Sequence, residues 1–375
     1  MKKTFKYRIY ANKETITNAE NWLRLCCNLY NACLEERIYA WEKQHKSLSG
    51  YDQSNELSDL KDGFPEYKDV SSQTLQGVIE KLNRSYQAFF NRIKQGQKAG
   101  FPRFKSRKRY DSFLLKNTGW KLEGKHLFVN KVGKFNIRLS HKIEGDIKTI
   151  TIRRTPTNKW FVCFSCDNVP EKTLPKSDKT IGIDVGIKSL LTDSEGRHVE
   201  NPKWLRQVEK LLRRRQRILS RRVKGSNRRA KARLLVAKAH EKVDNQRNDS
   251  LHKLANYYVQ NYGTIVVENL QIQNMVKNHH LAKSISDCAW GKFFELLEYK
   301  AEEAGRTLLK ENPRNTSKTC SSCGAINKAL KLSDRSWVCQ NCGILHDRDE
   351  NASKNIKRLG QSHQESTYAV TQSVS

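Results

Sequence analysis

Apolar residues alternate from Phe5 to Tyr10, then shift to a helical period in which Trp22, Cys26, Leu29 and Cys33 share one face. The pattern predicts a short strand and then a helix whose cysteines are core residues. A polar stretch containing Gly and Ser, from Ser47 to Lys68, reads as a loop. A second helix opens at Ser71 or Ser72, either of which can cap it. Leu75, Val78, Ile79, Leu82, Tyr86, Phe89 and Ile93 give it one apolar face, and it ends between Gly96 and Gly100. From Ser112 to Asp167 the period returns to two, with Phe135, Ile137 and Leu139, then Ile150 and Ile152, then Trp160, Val162, Phe164 and Cys166. Turn residues separate these runs, as in an antiparallel sheet or small barrel. Residues Val169 to Lys179 include two prolines and read as a linker. Beyond it come strand, hairpin, long helices, strand, helix, strand, a cysteine module and a helix. The polar residues 361–375 read as a disordered tail.

Composition changes this picture in one respect. Among 375 residues, 70 are Lys or Arg and 39 are Asp or Glu, a formal net charge of +31. Such a chain repels itself unless a polyanion lies against it, and nucleic acid is the obvious partner. No apolar run approaches the roughly 18 residues of a membrane span, and the first residues alternate where a signal peptide is continuously apolar. The expectation is a cytoplasmic protein. The 37% hydrophobic content is ample for ordinary cores.

Three carboxylates stand at suggestive places. Asp184 ends the apolar run TIGID and is followed by a glycine turn and a second strand that turns back at DSEG. Glu268 ends the apolar run TIVVE, where burying a charge is costly without a cation or donor partner. The third candidate lies in Asp347-Arg348-Asp349-Glu350-Asn351-Ala352, which opens a helix with Ala352, Ile356 and Leu359 on one face. A hairpin with Asp, a later strand with Glu and a helix with Asp is the order of an RNase H-like fold. There the three acids converge on two Mg²⁺ ions about 3.5–4 Å apart. Oxygen ligands suit so hard a cation, and the chemistry expected is hydrolysis of a phosphodiester.

Cys320-Ser-Ser-Cys323-Gly and Cys339-Gln-Asn-Cys342-Gly supply four thiols in two knuckles, each followed by a glycine that permits a tight turn. Four thiolates close a tetrahedral shell around one structural Zn²⁺ and leave no position for water. Cys163 and Cys166 spell the same motif, but three residues apart on a strand they point to opposite faces.

Two segments are candidate nucleic-acid surfaces. In GFPRFKSRKR, Phe101 and Phe104 interleave with Arg103, Lys105, Arg107, Lys108 and Arg109, which suits stacking on bases and pairing with phosphates. Between Lys203 and Arg247, 17 basic residues face three acids. Here Arg213, Arg214, Arg215 and Arg217, then Arg221 and Arg222, then Arg228 and Arg229, lie on two helices broken at Lys224–Asn227. Leu211, Leu212, Ile218, Leu219, Leu234 and Leu235 provide the apolar face.

Taken together, GFPRFKSRKR, GIDVGIKSLLTDSEG, IVVENLQIQNM, NPRNTSKTCSSCG, VCQNCG and DRDENASKNI, in that order, resemble the TnpB (OrfB) proteins of insertion sequences. These are relatives of the small type V CRISPR effectors, and the resemblance spans nearly the whole chain. It implies an α/β multidomain protein: an RNase H-like (RuvC) nuclease domain with a zinc-ribbon insertion, and an N-terminal β-barrel-like wedge domain with an inserted helical recognition domain. The implied divisions are wedge 1–10 and 110–178, recognition 11–109, nuclease core 179–310, zinc ribbon 311–345, C-terminal nuclease helix 346–360 and tail 361–375.

By the same resemblance the activity is guided cleavage of double-stranded DNA beside a short target-adjacent motif. The partners are a guide RNA from the transposon end, one protein per RNA, and the target DNA. It makes Asp349 the third catalytic acid and Asp347 a decoy, and it leaves Arg314, in the loop before the first cysteine pair, as either a contact to the scissile phosphate or a structural residue of the knuckle. A guided repressor that binds without cutting and a strand-transferring transposase are the alternative readings of this architecture.

Overall fold

The N-terminal alternation becomes strand β1 (Lys3–Tyr10), in which Phe5, Tyr7 and Ile9 are buried. This is seen in a computed structural model that describes residues 1–331 and 333–372, residues 364–372 by backbone alone. The chain divides after Pro170, inside the proline-bearing linker segment, into two units.

In the first unit β1 leads into α1 (Lys13–Gln44), α2 (Gly50–Asn55), α3 (Leu57–Gly63), a 3-10 turn (Pro65–Asp69) and α4 (Ser72–Lys94). Six strands follow: β2 (Ser112–Leu115), β3 (Trp120–Glu123), β4 (His126–Val129), β5 (Gly133–Arg138), β6 (Asp146–Arg154) and β7 (Trp160–Asp167). The seven strands form one antiparallel sheet in the order β2-β6-β7-β1-β5-β4-β3. Ile9 lies opposite Ile137 on one side and Trp160 on the other, so β1 is central although it is first in sequence. Asn12 caps α1 by accepting the Thr15 N–H at 2.8 Å, and Trp22 of α1 packs on Phe113 of β2 at 5.3 Å between ring centres. Cys26, Cys27 and Cys33 belong to this core.

Three expectations change here. Ser47–Lys68 is not a loop but two helices and a 3-10 turn. Ser49 and Asp52 form a reciprocal capping box that starts α2, and buried Gln53, Leu57 and Tyr67 anchor the segment. Gln53 carries much of this, accepting from Arg37 Nε at 2.8 Å and donating to the Cys33 carbonyl at 2.9 Å. The sheet is open rather than barrel-like, because β2 pairs only with β6 and β3 only with β4. The apolar face of α4 is buried through Leu82 but not to its end, since Ile93 is 51% exposed.

The second unit begins with β8 (Thr180–Val185), β9 (Ser189–Asp193) and β10 (His198–Glu200), then α5 (Trp204–Ser220) and α6 (Asn227–Asn261). Next come β11 (Thr264–Glu268), α7 (Ile272–Met275), α8 (Ala282–Cys288), α9 (Trp290–Ala304) and β12 (Thr307–Glu311). A cysteine module with the hairpin β13 (Ser336–Val338) and β14 (Leu345–Asp347) precedes α10 (Arg348–Gln372). The sheet order is β10-β9-β8-β11-β12. β8, β9 and β10 are antiparallel, whereas β11 runs parallel to both β8 and β12.

β11 is buried along its whole length, which explains its continuous apolar run. Ile265 and Val267 join a core with α6 and α9, and Val266 faces α10 at Gly360. Gly182 determines how near α10 comes. A Cβ built there would lie 2.2 Å from the Ser353 carbonyl oxygen and 2.5 Å from the Lys357 nitrogen. Because both are backbone atoms, Gly182→Ala is expected to push α10 off β8 and cost about 1–3 kcal/mol or more, read as a lowered urea midpoint. An unchanged midpoint would refute this packing.

α10 also corrects the expected tail. The helix continues through residue 361 to Gln372, because neither Pro nor Gly occurs after Gly360 to stop propagation. The end of the expected tail, residues 373–375, lies outside the described residues.

Candidate active site

Period-two geometry puts Gly182 and Asp184 of β8, and Val266 and Glu268 of β11, on the sheet face that α10 covers. Asp349 stands in the first turn of α10. Parallel pairing of β8 with β11 and the close approach at Gly182 therefore bring three acids from distant parts of the chain together.

Their electrostatics show how close they are. Burial pushes the Asp184 carboxyl well above its usual range, and the charges of Glu268 and Asp349 push it further. Burial also raises Glu268, opposed by the Thr316 hydroxyl, which donates to Glu268 Oε1 at 2.7 Å. Asp349 is held by two guanidiniums, with Arg348 Nη2 at 3.0 Å from Oδ1 and Arg335 Nη1 at 3.5 Å from Oδ2. Among the described residues neither Asp184 nor Glu268 has a basic side chain within ion-pairing distance. Buried, mutually repelling carboxylates of this kind fit a site for hard cations.

Asp347 does something else. Its Oδ1 accepts the N–H groups of Asp349 and Glu350, each at 3.0 Å, so it caps α10.

The residues that lock this geometry were not singled out in the sequence. Asn351 accepts the Ser321 N–H at 2.8 Å and donates to the Thr319 carbonyl at 2.7 Å, and Asn355 donates to the Thr316 carbonyl at 2.9 Å. Both are buried, and they fasten the first cysteine knuckle to the helix that bears Asp349. Their spacing, Asn-x-x-x-Asn after DRDE, was the available signal. Glu311, the register partner of Glu268, is buried and paired with His363 at 2.7 Å.

The sulfurs of Cys320, Cys323, Cys339 and Cys342 all lie within 4.8 Å of one another. Cys320 and Cys342 are 3.7 Å apart, and Cys323 and Cys339 are 3.6 Å apart. A tetrahedron with metal–sulfur bonds of ~2.3 Å spaces its sulfurs by about 3.8 Å, so the donor set fits zinc. Gly324 and Gly343 have φ of 80° and 71°, the left-handed turns expected of the knuckles. His346, passed over in the sequence, places Nε2 3.0 Å from Cys320 Sγ.

Over 368 residues the chain is 34% identical to a Streptomyces pristinaespiralis protein named for RNA-guided DNA endonuclease activity, covering 96% of this chain and 90% of that one. The chain belongs to the TnpB family. A family model described as "Probable transposase" (OrfB of the IS605 type) matches residues 163–279. The model "Cas12f1-like, TNB domain" matches 290–356. A third, "Helix-turn-helix domain", matches 1–46, which here is β1 and the single helix α1.

Among further relatives, InsQ of Escherichia coli K12, also named for RNA-guided DNA endonuclease activity, is 28% identical over 78% of this chain and 75% of its own. The endodeoxyribonuclease Cas12f1 of Sulfoacidibacillus thermotolerans is 28% identical over 60% of this chain and 54% of its own. In structure, Cas12f1 from a complex with single guide RNA and target DNA superposes with a TM-score of 0.59 at 18% identity, over 93% of this chain and 83% of that one. No described helix is long and apolar enough to cross a membrane.

On this TnpB-family scaffold the predicted basic residues separate into two groups. Arg103, Arg107 and Lys108 are exposed, as are Arg214, Arg217, Arg221, Arg222, Arg228 and Arg314. Lys105 instead turns inward over the Tyr30 ring at 4.5 Å, with its backbone tied on both sides to Asn31, so it is a correction to the predicted surface. Arg215 donates to the Leu235 carbonyl and Arg229 to the carbonyls of Leu219 and Arg222, bonds that close the α5–α6 hairpin. Arg213 pairs with Glu209 at 2.9 Å. The hairpin's apolar face is only partly covered: Leu212 is buried, while Leu211, Ile218 and Leu235 are exposed.

Proposed function

We propose that the chain cuts double-stranded DNA selected by a guide RNA, using Asp184, Glu268 and Asp349 to hold two Mg²⁺ ions. The observation that carries this reading is the burial of Asp184 against Glu268 and Asp349, a concentration of negative charge that divalent cations would relieve. When bound, such ions lower the pKa of an attacking water and stabilise the leaving 3′ oxygen. The chain's own contribution is positioning: Thr316 fixes one Glu268 oxygen, Arg348 and Arg335 orient Asp349, and Asn351 and Asn355 hold α10 in register. Cys320, Cys323, Cys339 and Cys342 hold one structural Zn²⁺ in a ribbon inserted before α10. Exposed arginines of the α5–α6 hairpin and of residues 100–109 follow phosphate backbones, leaving sequence choice to base pairing with the guide.

The test is Mg²⁺-dependent cleavage of a plasmid library with randomised flanks by protein co-expressed with the RNA from its element's end. Cleavage at guide-matched sites beside a common flanking motif is expected. Guided binding without cutting would favour a repressor, and neither binding nor cutting would overturn the proposal.

Mg²⁺ should also stabilise the fold in a pH-dependent manner. With the Asp184 and Glu268 carboxyls raised, the folded chain keeps protons that the unfolded chain has released, so metal-free stability falls as pH rises through the raised values. A cation competes with those protons. Mg²⁺ is therefore expected to raise the melting temperature more at neutral than at mildly acid pH, measured by calorimetry. A shift independent of pH would count against cation binding at these acids.

A further inference from the structure

The cysteine module and the β8–β9 turn border a cavity of about 340 Å³ that the proposed chemistry does not use. Lys188, Lys203, Arg206, Lys283 and Arg335 line it, with Asp287 the only acid among the described lining residues. Its volume falls in the lower part of the ~300–1,000 Å³ range of ligand sites. It adjoins the carboxylates, because Arg335 belongs to its wall and also reaches to 3.5 Å from Asp349 Oδ2. Lys188 follows Asp184 by a single turn of chain.

The acid in the wall does not balance these cations. Asp287 is buried, accepts the Leu205 N–H at 3.0 and 3.2 Å, and takes the Arg247 guanidinium at 2.9 Å. Lys283 is already paired with Glu209 at 2.5 Å. Among the described residues, Lys188, Lys203 and Arg206 have no carboxylate within ion-pairing distance. The wall is nevertheless built. Asn201 donates to the Ile187 carbonyl at 2.7 Å and accepts the Lys203 N–H at 3.0 Å, which holds Lys203 in the left-handed region at φ 50°. No aromatic side chain lines the cavity among the described residues, so it offers charge and no surface for stacking a base.

We propose that this cavity holds a phosphodiester group of the nucleic-acid strand presented to Asp184, Glu268 and Asp349. The inference rests on the nuclease reading above and adds a subsite to it. A phosphate here meets Lys188, Lys203 and Arg206 directly and lies beside Arg335, so the next bond along the strand faces the acids. The contact is to backbone, and therefore independent of sequence.

The test uses the full chain carrying Lys188→Gln, Lys203→Asn and Arg206→Gln together, Asn being chosen because it tolerates the left-handed backbone. A control carries Lys253→Gln, Lys292→Gln and Lys300→Gln, the same reduction of charge away from the cavity. Binding of a fluorescein-labelled strand of about twelve thymidines is followed by anisotropy in EDTA over a salt series. The cavity variant should bind about tenfold more weakly than the control, with its log–log salt slope smaller by about 0.7 for each phosphate that the protein no longer neutralises. Equal affinities and slopes for the two would overturn the proposal.

An oligouridine strand is measured alongside. Weakening confined to oligouridine would place the guide RNA in the cavity and overturn the assignment to the cut strand. If the triple variant fails to fold, Arg206→Gln alone, at an exposed position on α5, carries the comparison. Guided plasmid cleavage by the wild type is scored separately. Its absence with the cavity effect intact refutes the nuclease reading and leaves the phosphate site.

Discussion

Asp184→Asn is expected to reduce guided cleavage at least about a thousandfold, since cation-assisted stabilisation is worth several kcal/mol and each ~1.4 kcal/mol is tenfold in rate. The amide keeps the size of the side chain and removes its charge. Asp184 belongs to none of the exposed arginine surfaces, so affinity for guide RNA should not change. The stability of the metal-free protein gives an independent reading. In the wild type burial and the charges of Glu268 and Asp349 oppose ionisation of the Asp184 carboxyl, so a negative charge there is a cost to the metal-free fold. Removing that charge should leave the melting temperature of the metal-free chain equal or higher, and should abolish most of the rise that Mg²⁺ produces. An end to cleavage accompanied by a lower melting temperature and by failure to bind RNA would mean that Asp184 supports the fold rather than the chemistry.

Cys339→Ser should have the largest effect on stability. Among the described residues, the buried core of the cysteine module consists of Cys320, Leu330, Trp337 and Cys339 with Ala325 packed against them, little apolar surface to order such a segment unaided. Structural zinc contributes on the order of 10 kcal/mol to small ribbons. Replacing a cysteine that is 2% exposed removes one of the four sulfurs of the proposed zinc site. Zinc measured by mass spectrometry should fall from one per chain toward none, and limited proteolysis should begin within residues 311–347. The damage should reach the acids, because Thr319 binds Asn351 and Thr316 binds Glu268. Cleavage is therefore expected to fall with zinc content. A variant that retained its zinc would disprove the four-thiolate site.

Much of this molecule was legible from local pattern. The strands that became β1, β8 and β11, the helices α1, α4, α5 and α6, and the break between the last two follow from periodicity and turn residues. The two knuckles follow from short spacings that only a few residues control, each with its glycine in the left-handed region. Asp184 and Glu268 could be nominated because a charge ending an apolar strand is conspicuous against its neighbours, whereas only the family resemblance chose Asp349 over Asp347 at the start of the last helix.

Other features had no local signal. Ser47–Lys68 is polar in composition, and its helices are held by a capping box and by Gln53 reaching Arg37 and Cys33, partners more than a dozen residues away. Lys105 and Arg229 are as basic as their neighbours, and only the packed chain determines which cations turn inward to a ring or a carbonyl. The sequence by itself determined which elements form and which acids and thiols are available, because those depend on contacts within a few residues. The tertiary structure alone decided that Gly182 lets α10 descend on β8, that Asn351 and Thr316 join the cysteine module to the acids, and that Arg335 stands between Asp349 and a cationic cavity. Those are meetings of residues far apart in the chain, brought about by buried backbone contacts that no short pattern encodes.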